Sequence, residues 1–252
     1  MSARAADDAA ARGHAGRAGT LYLIPIGLGS DDPAPLLPPA TRAVLSGLRR
    51  FVVENPKSAR RFLKSAGYPH PLREASVATL DEHTAAAELP GLIAPLLAGE
   101  DCGLMSEAGC PAVADPGADL VRLAHERGVR VVPLIGPSAI LLALMASGLN
   151  GQRFEFHGYL PVDAGQRARR LRELEDQAAR AGATQIFIET PYRNDTVFQA
   201  VLDHCRGDTL LCIAVDLTLP SETIATRTIA RWKKSRPPLN RRPAVFLIGS
   251  SH

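Results

Sequence analysis

The 252-residue sequence has little cysteine. Cys102, Cys110, Cys205 and Cys212 form no CxxC pair and no zinc-type spacing with histidine. Disulfide-framework and zinc-module classes are therefore excluded, and no metal is expected. Cys102 and Cys212 fall in apolar segments, where a reduced thiol acts as a small hydrophobe, so a reducing cytoplasm is the expected compartment. Long apolar runs are missing too: Ile140 to Ala146 is far short of the roughly 20 residues a membrane helix needs. The N-terminus carries no apolar block of a secretory signal, Asp7 and Asp8 argue against a transit peptide, and residues 1–18 read as a disordered tail. An excess of one charge is also absent. The net charge of +3 demands no nucleic acid, although local clusters can still matter.

What is there is the composition of a globular protein, 46% hydrophobic and 22% charged, enough for one large core or two small ones. The chain is organised around Gly103 to Ala139. A brief apolar run ends in Ser106-Glu107-Ala108-Gly109. Asp115 before Pro116 reads as an N-cap followed by proline at the first helical position. Leu120, Val121 and Ala124 form one apolar helix face, closed by Gly128. Val129 to Ile135 reads as an interior strand. Gly136-Pro137-Ser138 then opens a helix, Ser138 to Ser147, that is apolar all round and so expected to be buried, with Gly148 as its cap. Two small-residue turns are expected at the carboxyl edge of a parallel sheet, where open α/β sheets bind ligands.

Upstream, Thr20 to Ile26 reads as a strand with an exit loop from Pro25 to Asp32, and Phe51 to Glu54 as another. Gly27-x-Gly29 behind a strand raises a dinucleotide-binding alternative, with Glu54 as its ribose-binding acid. Its third glycine is missing, and Pro33, Pro35, Pro38 and Pro39 block a helix directly behind the loop. Helices are expected over 39–48, 58–66 and, irregularly, 85–97. The second half shows strands near 153–157, 184–189, 210–215 and 243–249 and helices near 166–181 and 195–205. Ser221 to Trp232 is ambiguous between strand and helix. The expected organisation is an N-terminal α/β domain over 19–137 and a C-terminal α/β domain over 138–252.

Five ordered segments resemble one family. They are Thr20-Leu21-Tyr22 with Pro25-Ile26-Gly27; Ser106-Glu107-Ala108-Gly109-Cys110-Pro111 with Ala114-Asp115-Pro116-Gly117; and Gly136-Pro137-Ser138-Ala139 with Ala146-Ser147-Gly148-Leu149. Phe156-His157-Gly158-Tyr159-Leu160-Pro161 and Glu189-Thr190-Pro191-Tyr192-Arg193 complete the set. The chain thereby resembles the tetrapyrrole methylase superfamily over roughly residues 19–249, most closely the cytidine 2′-O-methyltransferases of small-subunit ribosomal RNA, as a divergent paralogue. The resemblance implies two α/β domains with S-adenosylmethionine in the cleft between them, a homodimer, and methyl transfer by in-line displacement to an RNA ribose hydroxyl or a small molecule. Positioning and exclusion of water can supply most of the acceleration of such a step. It assigns cofactor contacts to Pro25, Ile26, Gly27, Glu107, Ala108, Gly109, Cys110, Ser138, Ala139, Glu189, Pro191 and Val215. It also departs from that branch: Val53-Glu54-Asn55-Pro56-Lys57 stands where A-E-D-T-R is usual, and Asp216-Leu217-Thr218-Leu219 where E-L-T-K is usual. These departures motivate a second reading, a non-catalytic S-adenosylmethionine-binding sensor or assembly protein.

On the substrate side, Glu54 is a candidate general base, or a solvated carboxylate closing a strand, and Lys57 stands where the branch places its arginine. Glu107 either touches the cofactor or caps a turn; Tyr192 and Arg193 line the cleft or face water. His157 and Met105 read as core. The arginines of 167–180 share a helix with Glu173, Glu175 and Asp176 and read as a solvated face. Arg231, Lys233, Lys234, Arg236, Arg241 and Arg242 surround Trp232 without an acid among them, a cluster able to neutralise RNA phosphates.

Overall fold

The computed structural model describes residues 17–29, 32 and 34–250; residues 1–16 of the expected tail, Ser30 and Asp31 of the first exit loop, and Pro33 behind it lie outside the described residues. The chain divides into two compact units, one of residues 1–27 and 31–136, the other of 28–30 and 137–252.

In the first unit the strands are β1 (Thr20–Leu23), β2 (Arg50–Val53), β3 (Ser76–Thr79), β4 (Cys102–Met105) and β5 (Arg130–Pro133), and the helices α1 (Pro39–Gly47), α2 (Pro56–Ser65), α3 (Leu89–Leu97) and α4 (Ala118–Glu126). The sheet runs β3-β2-β4-β1-β5, parallel at every pairing. Side chains alternate across it. Phe51, Val53 and Met105 pack with Leu45, Phe62 and Leu63 on one face; Leu21, Val52 and Leu104 pack with Ile93, Leu96, Leu120 and Ala124 on the other. Helices thus cover both faces, as a parallel sheet requires.

Three expectations change here. β5 is an edge strand rather than an interior one, so Arg130 and Pro133, both exposed, sit where a charge and a missing N–H are tolerated. β3, the opposite edge, is short and rich in Ser and Thr and has no apolar signature. Asp115 is not an N-cap: α4 starts at Ala118, capped by Gly117 at φ 132°. A Cβ at Gly117 would also come within 2.9 Å of the Leu104 side chain, so the sharp entry requires glycine.

The second unit holds α5 (Ala139–Ser147), β6 (Phe154–Tyr159), α6 (Ala164–Ala181), β7 (Thr184–Ile188), α7 (Asn194–His204), β8 (Leu210–Val215), β9 (Thr223–Thr228), α8 (Ile229–Trp232) and β10 (Ala244–Gly249). Its sheet is mixed, ordered β6-β7-β10-β8-β9, with β10 antiparallel to both neighbours. Phe187, Ile213, Val215 and Phe246 face α6, α7 and α8; Ile186, Cys212, Ala214 and Leu247 face α5. The ambiguous segment resolves into both states, β9 and then α8, because Thr228 caps a helical turn directly behind the strand.

Two helices of this unit differ from expectation. α5 is only half buried: Ala143 and Leu144 pack inward, whereas Leu141 and Met145 are 51% and 80% exposed. On α6, Arg167 and Glu175 are buried rather than solvated. Arg167 donates to the Pro161 and Val162 carbonyls, and Glu175 accepts from the Arg206 backbone N–H and the Thr209 hydroxyl. His157 is enclosed as expected, although by polar partners, Gln185 at 2.7 Å and Arg170 at 3.0 Å. Among the described residues no helix is long and apolar enough to cross a membrane.

Candidate active site

The carboxyl edge of the first sheet gathers the loops behind β1, β2, β4 and β5. Register does the gathering. Val53 pairs with Met105 in the parallel β2–β4 ladder, so the residues that follow, Glu54 on one strand and Ser106-Glu107 on the other, leave the sheet side by side. The Glu54 N–H donates to the Met105 carbonyl, and the Glu107 N–H donates back to Glu54 Oε2 at 3.1 Å. The Ser58 hydroxyl, in the first turn of α2, donates to Glu107 Oε1 at 3.1 Å. Asn55 caps α2 by accepting from the Lys57 and Ser58 N–H groups, which leaves Lys57 exposed at the helix entrance.

This arrangement is electrostatically unfavourable. Burial holds the Glu54 carboxyl above its ordinary value, and the Asp115 carboxylate adds to the rise, followed by Glu107 and Glu82; the Glu107 N–H offsets part of it. Asp115 is raised likewise by burial and then by Glu107, against a lowering contribution from the Ser106 hydroxyl. None of Glu54, Glu107 and Asp115 forms an ion pair with a described cation.

The other loops of this edge are tightly joined. The Ile26 N–H donates to the Gly109 carbonyl at 2.9 Å, and a Cβ on Gly136 would meet Pro25 at 2.5 Å, so the third loop reaches the first only with glycine there. Pro25, Ile26, Gly27 and Gly109 are buried, Cys110 is half-buried, and Glu107 and Ala108 are exposed. Beyond Gly109 the backbone is strained: Ala112 and Ala114 hold φ of 64° and 65°, a region L-residues avoid and functional loops retain.

In the second unit the expected residues occupy different settings. Ser138 spends its hydroxyl on capping α5, accepting from the Leu141 N–H at 3.4 Å, and Ala139 packs half-buried behind it. Glu189 is not an open ligand: its side chain is wholly buried, accepts from the Thr190 N–H and pairs with Arg193 at 3.1 Å. Pro191 offers its carbonyl to the Arg241 N–H, and Val215 lies in the core under α7. Tyr192 is 76% exposed, with Arg241 lying over its ring.

After β8, Asp216 and Thr218 take φ of 51° and 70°. Asp216 is locked by Arg242 Nε and the Ser221 hydroxyl, at 2.8 and 2.7 Å. Arg242 is therefore engaged in an ion pair rather than held for phosphate. Arg236 bonds Gln199, and Trp232 is buried with its indole N–H on the Leu211 carbonyl, so it offers no stacking surface to a base. Arg231, Lys233 and Lys234 remain exposed.

The sequence profile described as Tetrapyrrole (Corrin/Porphyrin) Methylases matches residues 20–232. A ribosomal RNA small subunit methyltransferase I of Pseudomonas aeruginosa is 32% identical over 234 residues, covering 92% of this chain and 79% of that protein. Its namesake from Mesorhizobium japonicum is 43% identical over 148 residues, 59% of this chain and 49% of the relative. Among solved structures, the methyltransferase CobJ superposes with a TM-score of 0.59 at 20% identity, over 92% of this chain and 95% of its own. A cobalt precorrin-4 methyltransferase, CbiF, gives 0.57 at 16% identity, over 91% and 94%. The chain belongs to the tetrapyrrole methylase family and is an S-adenosylmethionine-dependent methyltransferase. That membership sets aside the nicotinamide alternative, consistent with the loop behind β1, which meets a 3-10 turn at Ala34–Leu36 and not a phosphate-binding helix.

The residues present suit that cofactor. The turns that carry the expected contacts are built of small residues, which let backbone groups approach a nucleoside closely. Thr218 Oγ1, in the loop behind β8, is buried without a protein hydrogen-bond partner, as a residue reserved for a ligand would be.

Proposed function

We propose that the protein methylates a ribose hydroxyl of RNA, with Glu54 as the general base. S-adenosylmethionine supplies a methyl group already activated on a sulfonium, so the acceptor oxygen needs only orientation and relief of its proton. Glu54 is suited to take that proton, because it is half-buried, forms no ion pair with a described cation, and stands among carboxylates that raise its basicity. That unpaired carboxylate at the sheet edge is the observation that carries the reading. Its second oxygen accepts from the Glu107 N–H, and Lys57, two residues into α2, would meet the phosphate beside the acceptor ribose. The small-residue turn of Ser106–Gly109 would approach the cofactor through backbone groups. The names of the relatives support ribosomal RNA of the small subunit as the acceptor class.

Incubation with labelled S-adenosylmethionine and small-subunit ribosomal RNA tests the reading. Label is expected in alkali-resistant dinucleotides, the signature of a methylated 2′ hydroxyl. Label confined to small-molecule acceptors, or none at all, would overturn it. In keeping with this reading, the protein works in the cytoplasm as a homodimer. The exposed Leu141 and Met145 of α5 supply apolar surface for a second copy, and sedimentation should give about twice the 26.8 kDa chain mass.

A further inference from the structure

Among the described residues, α2 carries a run of basic side chains with no acid on the same helix; its sequence is Pro-Lys-Ser-Ala-Arg-Arg-Phe-Leu-Lys-Ser. Lys57, Arg60, Arg61 and Lys64 fall at i, i+3, i+4 and i+7, which sets all four along one side of the helix. All four are exposed, and none forms an ion pair with a described residue. Like charges at these spacings repel by a few tenths of a kcal/mol per pair, so the stripe weakens the helix that carries it.

The opposite face, Ala59, Phe62 and Leu63, is buried in the core of the first unit. That burial rules out the use to which a basic amphipathic helix is often put, since no apolar face is left to enter a membrane. The stripe spans ~10 Å at 1.5 Å per residue. Its first member, Lys57, is three residues from Glu54, and Ser58 beside it is bonded to Glu107.

We infer that the exposed side of α2 is the surface on which an RNA strand docks, its phosphates following Lys57, Arg60, Arg61 and Lys64 toward the hydroxyl presented to Glu54. This rests on the RNA acceptor proposed above. It also moves the principal RNA contact away from the Arg231–Arg242 region, where Arg242 and Arg236 are already engaged.

The test compares two triple variants of the full chain, Arg60→Ala/Arg61→Ala/Lys64→Ala and Arg231→Ala/Lys233→Ala/Lys234→Ala, for binding to purified small-subunit ribosomal RNA across a salt series. Lys57 is left in place. The α2 variant should bind at least about tenfold more weakly, with the slope of log affinity against log salt reduced by about 2, while S-adenosylmethionine binding by calorimetry is unchanged. The C-terminal variant should lose less. Arg60→Lys/Arg61→Lys keeps the charge and should keep the affinity; loss there equal to that of the Ala variant would overturn an electrostatic surface. Wild-type RNA binding in the α2 triple variant, with RNA still methylated by the parent protein, would overturn the surface and spare the RNA reading. A parent protein that neither binds nor methylates RNA would overturn both.

Discussion

Both units place carboxylates on loops at a strand edge, and they treat them in opposite ways. In the second unit Glu189 and Asp216 are buried and each is matched with an arginine, Arg193 and Arg242. In the first unit Glu54, Glu107 and Asp115 crowd one another without an ion pair to a described cation, and burial and mutual repulsion raise Glu54 and Asp115. A matched buried pair fixes a loop; an unmatched cluster weakens the fold and keeps a base available. The first arrangement is scaffold; the second is the one on which the proposed chemistry draws.

The largest effect should come from removing the unmatched base. Glu54→Gln is expected to lower turnover about 10²- to 10⁴-fold while cofactor affinity holds. The same change should stabilise the protein. With its pKa raised, the Glu54 carboxyl favours the folded state when protonated; that contribution is complete below the ordinary glutamate range and is lost as pH rises through the raised value. Glutamine never ionises, so the variant should melt at a higher temperature than the parent at pH 7 and at the same temperature below about pH 4. A variant less stable at pH 7 would end the contrast between the two edges.

On the matched side the sign reverses. Arg242→Ala strands the Asp216 carboxylate in a buried loop and should cost about 3–5 kcal/mol in denaturant unfolding. Ala139→Leu should cost less, about 1–3 kcal/mol, through overpacking at the start of α5, and weaken cofactor binding about tenfold. Unaltered affinity there would remove Ser138-Ala139 from the cofactor contacts.

The smallest effect is a displacement along the pH axis. Asp115→Asn removes one of the charges that raise Glu54, so Glu54 should ionise at lower pH and the acid limb of kcat/KM should move down. The shift is partial because burial, the larger cause, remains.

Much of this architecture was legible. The strands with continuous β-branched and apolar runs, and the helices whose apolar stripe ends at a cap, fall within a few residues of where periodicity put them. What was not legible depended on neighbours. Ser76–Thr79 becomes a strand only because β2 offers a ladder, and Val129–Ile135 reads as interior until the sheet order leaves it at the rim. Asp115-Pro116 imitates a helix start, and the turn at Gly117 delays it. At the site, Glu54 and Glu107 were each recognisable, but their contact follows from the β2–β4 register, which no local pattern reports. Glu189 is assigned to the cofactor by the family resemblance of its motif; the pairing with Arg193 that encloses its side chain belongs to the loop's tertiary course. The basic stripe of α2 is the reverse case. Its 3–4 spacing lies within one helix, whereas the C-terminal cluster is denser along the sequence and its engagement with Asp216 and Gln199 arises only in the fold.

Trp232 gives the molecule an internal optical gauge. It is the sole tryptophan of the chain, 3% exposed, fixed through its indole N–H to the Leu211 carbonyl and covered by Arg227 at 4.7 Å. Its emission therefore reports the second unit and is silent about the first. Circular dichroism sums over both. If the two units unfold independently, the fluorescence and dichroism transitions will part, and a variant such as Arg242→Ala will move the optical transition first.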